Sequence, residues 1–299
     1  MIDIKKFGAI DIGSNAVRLL VSSVITTKKE PPRFKKVSLV RVPIRLGEDV
    51  FTINKVGEKN KERLIDAMKA FKLLMDVHQI KAYRACATSA MRNAENSNDL
   101  QQIIKKETGI TIDIIDGKEE AEIIAQTDLN EITKDKKTYL FVDVGGGSTE
   151  FTLFNKGKEV ASKSFKIGTV RLLNDLVSEN LWLKAENWIL SHTKGYSEIA
   201  LVGSGGNINN IFKSSGKASG RSLNRKYLND FYKKVSNMSY EERIWKLNLN
   251  VDRADVIVPA AKIFINAMKW SGAEKIYVPK IGLSDGIIRS VYEKYNNKQ

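Results

Sequence analysis

One short pattern occurs twice in this chain, and the repetition limits what the chain can become. Ala9-Ile10-Asp11-Ile12-Gly13-Ser14-Asn15 matches Phe141-Val142-Asp143-Val144-Gly145-Gly146-Gly147 position by position. Each copy has two apolar residues, Asp, a further apolar residue, then Gly and small or polar residues. A second apolar stretch comes after each, Val17 to Val21 and Phe151 to Phe154. Apolar run, glycine turn, apolar run reads as a β-hairpin. One such hairpin is unremarkable. Two, one at the start and one near the middle of 299 residues, predict a duplicated domain.

The segments downstream of the two hairpins agree with duplication. After the first, the pattern predicts a third strand over Phe34 to Ile44 and an amphipathic helix with Leu64, Ala67, Met68, Phe71, Leu74 and Met75 on one stripe. A strand at Ala82 to Ala87, a helix around Asp99 to Glu107, a strand at Thr111 to Ile115 and a helix from about Lys118 come next. After the second hairpin the expected strands are Glu159 to Lys166, Ile199 to Val202 and Lys275 to Val278. Helices are expected near Val170 to Leu176, Leu181 to Thr193, from Asn207, Leu223 to Val235, Asp255 to Trp270 and from Ser284. Each half thus reads βββαβα with additions, an α/β arrangement of mixed sheets covered by helices.

Composition narrows the partners. Lys plus Arg number 49 against 35 Asp plus Glu, a formal charge of +14 that draws polyanions. Nucleic acid, polyphosphate and anionic nucleotides all satisfy such a field, as does a basic surface with no specific partner. No nucleic-acid-binding module is recognisable, so no specific nucleic acid is expected. Basic loops are expected at Lys28 to Lys36, Lys134 to Lys137 and Lys213 to Lys226, the last either lining a polyanion path or simply solvated. No apolar run reaches the roughly 18 residues of a membrane span, and the N-terminus shows no secretory signal pattern. With Cys86 as the single cysteine, no intrachain disulfide is possible and a cytoplasmic home is expected. His78 and His192, the only histidines, read as surface or satisfied residues. Trp182, Trp188, Trp245 and Trp270 read as helix-face core residues.

The turns carry the candidate chemistry. A glycine turn between strands can present several backbone N–H groups on one side, a nest for an anion's oxygens. Gly13-Ser14-Asn15 and Gly145-Gly146-Gly147-Ser148 both qualify, either as nests or as ordinary hairpin turns; three consecutive glycines flanked by Asp143 and Glu150 favour the nest at the second. Asp11 and Asp143 each end a buried strand, where a carboxylate can hold Mg²⁺, orient a water or cap its own turn. Gly203-Ser204-Gly205-Gly206-Asn207 lies between a strand and a helix, a further anion or nucleotide position. It has no P-loop lysine and no Rossmann fingerprint.

Taken in order, these segments resemble the exopolyphosphatase and guanosine pentaphosphate phosphatase (Ppx/GppA) family over nearly the whole chain. Ala9 to Asn15 with Arg18-Leu19 is similar to that family's first phosphate loop. Ala87-Thr88-Ser89-Ala90-Met91-Arg92-Asn93-Ala94 is similar to its arginine-bearing segment, and Gly117-Lys118-Glu119-Glu120-Ala121-Glu122 to the stretch with its catalytic glutamate. Asp143 to Glu150 resembles its second phosphate loop; Gly168-Thr169-Val170-Arg171-Leu172 and Gly203 to Gly206 come next in register.

The resemblance implies a duplicated actin-like ATPase (ribonuclease H-like) fold with two lobes and an interdomain cleft, expected as 1–121 with 286–299 and as 122–285. It implies Glu120 as the base that activates water, with Asp143 and Glu150 as the other catalytic groups. It implies Arg92, Gly13, Ser14, Asn15, Gly145, Gly146, Gly147, Ser148 and Gly205 on the phosphates, and Mg²⁺ (or Mn²⁺) at Asp143, Glu150 and Asp11. The implied activity is release of terminal orthophosphate from polyphosphate or guanosine pentaphosphate (pppGpp). A noncatalytic alarmone-binding regulator and a kinase of the same fold are the alternatives, and a homodimer is an open expectation. Many family members carry a C-terminal helical domain, for which this sequence has no room, so short polyphosphate is expected. Physically, phosphoryl transfer to water needs positioning and charge neutralisation, which a planar guanidinium, amide nests and metal-holding carboxylates supply.

Overall fold

A computed structural model describes residues 2–125, 127 and 137–297. The chain divides into two compact units, Met1–Thr127 with Leu283–Gln299, and Asp128–Gly282.

The first unit is built on five strands: β1 (Asp3–Ile12), β2 (Val17–Thr26), β3 (Arg33–Val42), β4 (Ala82–Ala87) and β5 (Ile112–Ile114). Their order is β3-β2-β1-β4-β5. β1 to β3 form an antiparallel meander, and β4 and β5 add in parallel. The inner half of β1 is buried throughout, as expected of a central strand covered on both faces. Helix Glu58–Val77 buries Leu64, Ala67, Met68, Phe71 and Met75 on its apolar stripe. The C-terminal helix, Leu283–Asn296, returns to this unit, where Tyr292 and Tyr295 meet Phe7 edge-on. It also packs on helix Gly117–Ala125. A Cβ at Gly286 would lie 2.0 Å from the Ile123 carbonyl oxygen, so only glycine permits that crossing.

The second unit repeats the plan with β6 (Thr138–Val144), β7 (Thr149–Asn155), β8 (Lys158–Phe165), β9 (Ile199–Ser204), β10 (Leu223–Asn224) and β11 (Lys275–Tyr277). The order is β10-β11-β9-β6-β7-β8. β6 to β8 are the antiparallel meander, β9 and β11 join in parallel, and β10 is an antiparallel edge. Leu140, Val142, Phe151, Leu153, Ile208 and Phe264 centre its core, with helix Ile257–Ser271 across the sheet. Even the irregularities recur. The outer pair of each meander slips register three residues past the residue opposite the motif aspartate, between Val21 and Ser22 and between Leu153 and Phe154. This is the duplicated actin-like fold.

Several expectations need correction. Strand β3 begins at Arg33, so Lys35 and Lys36 belong to an edge strand rather than a loop; lysines on an edge are compatible with pairing on one side only. Residues 134–136 lie outside the described residues. Of Lys213 to Lys226, the ends belong to helix Gly206–Ser214, to β10 and to helix Arg225–Ser236. Trp245 is 88% exposed and is no core residue, although Trp270 is buried. Helices Leu46–Ile53, Ser89–Asn93, Tyr240–Leu247 and Val251–Ala254 form where no helix was expected. Among the described residues no helix is long and apolar enough to cross a membrane.

Candidate functional site

In the first unit the parallel strands β1, β4 and β5 end side by side, and each candidate segment leaves from one of those ends. The Gly13-Ser14-Asn15-Ala16 turn comes after β1 and is closed by the Gly13 N–H donating to the Ala16 carbonyl at 3.1 Å. Helix Ser89–Asn93 comes after β4. Thr88 donates its N–H to the Ile12 carbonyl, and the Ser14 and Ser89 hydroxyls share a hydrogen bond of 2.9 Å. Arg92, on that helix, donates Nη1 to the Ile115 carbonyl at 2.5 Å, just beyond β5. The next residue, Asp116, opens helix Gly117–Ala125 by accepting the N–H groups of Lys118 and Glu119 at 2.9 and 2.8 Å. Glu119 pairs with Arg84 at 2.7 Å, while its neighbour Glu120 is buried at 8% exposure. The structure therefore gathers the first turn, the arginine segment and the glutamate helix at the carboxyl ends of the parallel strands. Ligands of open α/β sheets bind outside the carboxyl ends of the strands.

Asp11 has a fixed partner. It lies directly across the hairpin from Arg18, whose Nη1 donates to its Oδ2 at 2.8 Å. Burial pushes the Asp11 carboxyl above its ordinary range, with Arg18 pulling the other way. The ion pair offsets part of the cost of burying this carboxylate. Behind Asp11 on β4 sits Cys86, buried, with its thiol pushed up to about 12 chiefly by desolvation. Such a thiol stays protonated and inert, as expected of it.

The second unit has the same turn with different charges. The Gly145 N–H donates to the Ser148 carbonyl at 2.9 Å, the bond seen at Gly13. Opposite Asp143 stands Glu150 rather than an arginine. Both are buried, at 9% and 2% exposure, with carboxylate oxygens within 4.8 Å of each other. The Ser148 and Ser164 hydroxyls both donate to Glu150 Oε1, at 2.6 and 2.8 Å, which favours its ionised form. Two like charges at that distance repel by about 3 kcal/mol at an effective protein dielectric. A hard divalent cation with oxygen ligands relieves that repulsion, so this pair fits such an ion.

The glycine loop after β9 closes on the same strand end. Gly205 has φ +105°, and a Cβ there would meet the Val144 carbonyl oxygen at 2.9 Å and Asp143 Oδ1 at 3.5 Å. The loop's other side chains are engaged within the unit. Ser204 donates to the Ile281 carbonyl at 3.0 Å, and Asn207 accepts from buried Arg253 at 3.2 Å.

The sequence of most of this chain, residues 24–295, matches the model of the Ppx/GppA phosphatase family. The chain belongs to that family. As a Ppx/GppA protein it is a hydrolase. It is 29% identical over 318 residues to a bifunctional 3-dehydroquinate synthase/phosphatase of Fusobacterium nucleatum, covering 97% of this chain but only 46% of that relative's length. It is 24% identical to Exopolyphosphatase 1 of Mycobacterium tuberculosis, covering 95% of this chain and 87% of the relative. A solved exopolyphosphatase from Cytophaga hutchinsonii superposes with a TM-score of 0.80 at 24% identity, covering 96% of this chain and 97% of that one, which shows the fold.

Residue types alone do not mark every side chain that contacts these candidate residues. In the sequence Arg18 reads only as part of a loop, and the signal for its pairing with Asp11 is an arginine seven residues on, across a four-residue turn. Ser164 could not be found from sequence, because it reaches Glu150 across a strand pair that slips register. Arg84, which pairs with both Asp113 and Glu119, had no motif to mark it.

Proposed function

We propose that the chain hydrolyses the terminal phosphoanhydride bond of short inorganic polyphosphate, of pppGpp, or of both. In the second unit the backbone N–H groups of Gly145–Ser148 with the Gly205 loop bind phosphate oxygens, and in the first unit those of Gly13–Asn15 with Arg92 have the same chemistry. Asp143 and Glu150 hold Mg²⁺ or Mn²⁺, which when bound offsets the negative charge of the phosphates. Glu120 takes the proton from a water as the water oxygen bonds to the terminal phosphorus. The bond from that phosphorus to the bridging oxygen breaks, and the products are orthophosphate and a chain shorter by one phosphate. A cytoplasmic setting belongs to the same reading.

The observation that carries it is the Asp143–Glu150 pair: two buried carboxylates, one holding two hydroxyl donors, beside a turn of three glycines. The family match supplies the class of reaction; the names of relatives, an exopolyphosphatase and a guanosine-5'-triphosphate,3'-diphosphate pyrophosphatase, supply the substrates. The test measures orthophosphate release from tripolyphosphate, long polyphosphate and pppGpp, with and without Mg²⁺, for the native chain and for Glu120→Gln. The expected result is metal-dependent release that Glu120→Gln abolishes while tripolyphosphate binding persists. A fully active Glu120→Gln chain would remove Glu120 from the role of base.

A further inference from the structure

The segment after β8 makes a series of contacts with the second turn that no side-chain motif announces. Helix Thr169–Leu173 begins directly behind the turn. The Thr169 N–H donates to the Gly145 carbonyl at 3.0 Å. The Val170 and Arg171 N–H groups donate to the Gly146 carbonyl at 2.9 and 3.3 Å. Arg171 Nε donates to the Gly147 carbonyl at 3.0 Å. Just upstream, the Thr149 hydroxyl donates to the Ile167 carbonyl at 2.5 Å. Three successive carbonyls of the turn are thus fixed from one side.

That fixing has a consequence for the opposite side. In a planar trans peptide the N–H points away from the C=O of the same unit, and no peptide bond here is cis. Anchoring the carbonyls of Gly145, Gly146 and Gly147 therefore turns the N–H groups of Gly146, Gly147 and Ser148 away from the helix, toward one common side. A nest of that kind gains its value from being oriented before the anion arrives, because no reorganisation is then needed at the moment of reaction.

The approach requires glycine at 168. A Cβ there would lie 2.3 Å from the Gly146 carbonyl oxygen and 2.4 Å from the Gly146 and Gly147 carbonyl carbons. All of those are backbone atoms that cannot swing aside. The first unit shows the same device built from other residues. The Arg45 and Gly47 N–H groups donate to the Asn15 and Ser14 carbonyls at 3.0 and 2.8 Å, at the start of helix Leu46–Ile53. A Cβ at Gly47 would meet the Ser14 Cβ at 3.0 Å. In both units the chain leaving the third strand starts a helix against the back of the turn.

We propose that Gly168 and Arg171 are positioning residues: they aim the Gly146, Gly147 and Ser148 amides at a bound phosphate without touching it. The inference rests on the phosphohydrolase reading above. Arg171→Ala frees the Gly147 carbonyl and lets the Ser148 N–H drift, so kcat/KM for tripolyphosphate falls by up to about 100-fold, the lower end of the loss for outright removal of one oriented donor, because the donor is misaimed rather than removed. KM rises as part of that loss. Arg171→Lys, which keeps a donor within reach of Gly147, recovers part of it. Gly168→Ala displaces the Gly146 carbonyl and costs at least as much.

The test is steady-state orthophosphate release from tripolyphosphate for the native chain and these three variants, with the folded fraction of each taken from circular dichroism melts. A lost folded fraction lowers kcat alone. A misaimed turn raises KM in the fraction that is folded, and that is the expected result. Native KM in folded Arg171→Ala, or losses that track the unfolded fraction alone, would overturn the proposal. If the native chain itself releases no phosphate, the phosphohydrolase reading fails, a result distinct from either variant outcome.

Discussion

The two hairpins share a backbone and differ in charge. Both close a four-residue turn with the same N–H to carbonyl bond, both place Asp one residue before the strand end, and both slip register at the same distance beyond. Across from Asp11 stands Arg18, and across from Asp143 stands Glu150. The first hairpin sets an arginine against its carboxylate within its own chain. The second holds two buried carboxylates whose mutual repulsion invites a cation. The turn occurs twice, and one cross-strand difference leaves the second hairpin with a carboxylate pair that fits a cation where the first has an ion pair.

The largest expected effect tests that asymmetry directly. Asp143→Asn should lower kcat/KM for tripolyphosphate by about 10²- to 10³-fold, the several kcal/mol that a catalytic metal contributes. Asp11→Asn should lower it by roughly 10-fold or less, since its carboxylate is already paired; losing one oriented contact is worth that much. Equal losses, read by phosphate release at saturating Mg²⁺, would break the comparison.

Stability should show the opposite pattern. Arg18→Ala strands a buried carboxylate and should cost about 2–3 kcal/mol, less than a fully buried pair because Arg18 is partly solvated. Thermal melts should fall by roughly 5–10 °C. The double change Arg18→Ala with Asp11→Asn should recover most of the loss, because no charge is then left unpaired. A melt unchanged by Arg18→Ala would show that the pair does not hold this hairpin.

Ser164→Ala sharpens the other side. Removing one of two hydroxyl donors to Glu150 Oε1 should cost about 1.5 kcal/mol of carboxylate stabilisation, hence roughly 10-fold in kcat/KM. Little change in the melt should accompany it.

The smallest effect is a pH slope. Burial raises the folded-state pKa of Asp11 above its ordinary 3.8, despite Arg18. The folded chain then holds this proton to higher pH than the unfolded chain does. Stability from this group is complete below about pH 4, declines as pH rises through the folded-state pKa, and is level above it. Asp11→Asn removes that slope. Its melting temperature relative to the native chain should therefore improve between pH 4 and pH 7, and a difference constant across that range would contradict the assignment.

The hairpins, their aspartates and the duplicated fold were legible because each rests on local pattern: alternating burial, a glycine turn and a repeat. Cys86 as an inert core thiol was legible for the same reason. The features that escaped depend on contacts between elements. The bonds that anchor Gly145 to Gly147 come mostly from backbone N–H groups, which every residue but proline carries, so no residue type marks them. Ser164 reaches Glu150 only because of a strand register that sequence does not display. Trp245 sits at a helical spacing that suits a core, yet helix Tyr240–Leu247 buries none of its residues fully, and tertiary placement overrode the pattern.

The most direct test of the account is the Mg²⁺ dependence of orthophosphate release from tripolyphosphate, compared between the native chain, Glu150→Gln and Asp11→Asn. The account predicts that Glu150→Gln raises the Mg²⁺ needed for half-maximal rate at least about tenfold, a shift of about 1.4 kcal/mol, while Asp11→Asn leaves it near native. A Glu150→Gln chain with native Mg²⁺ dependence would contradict it.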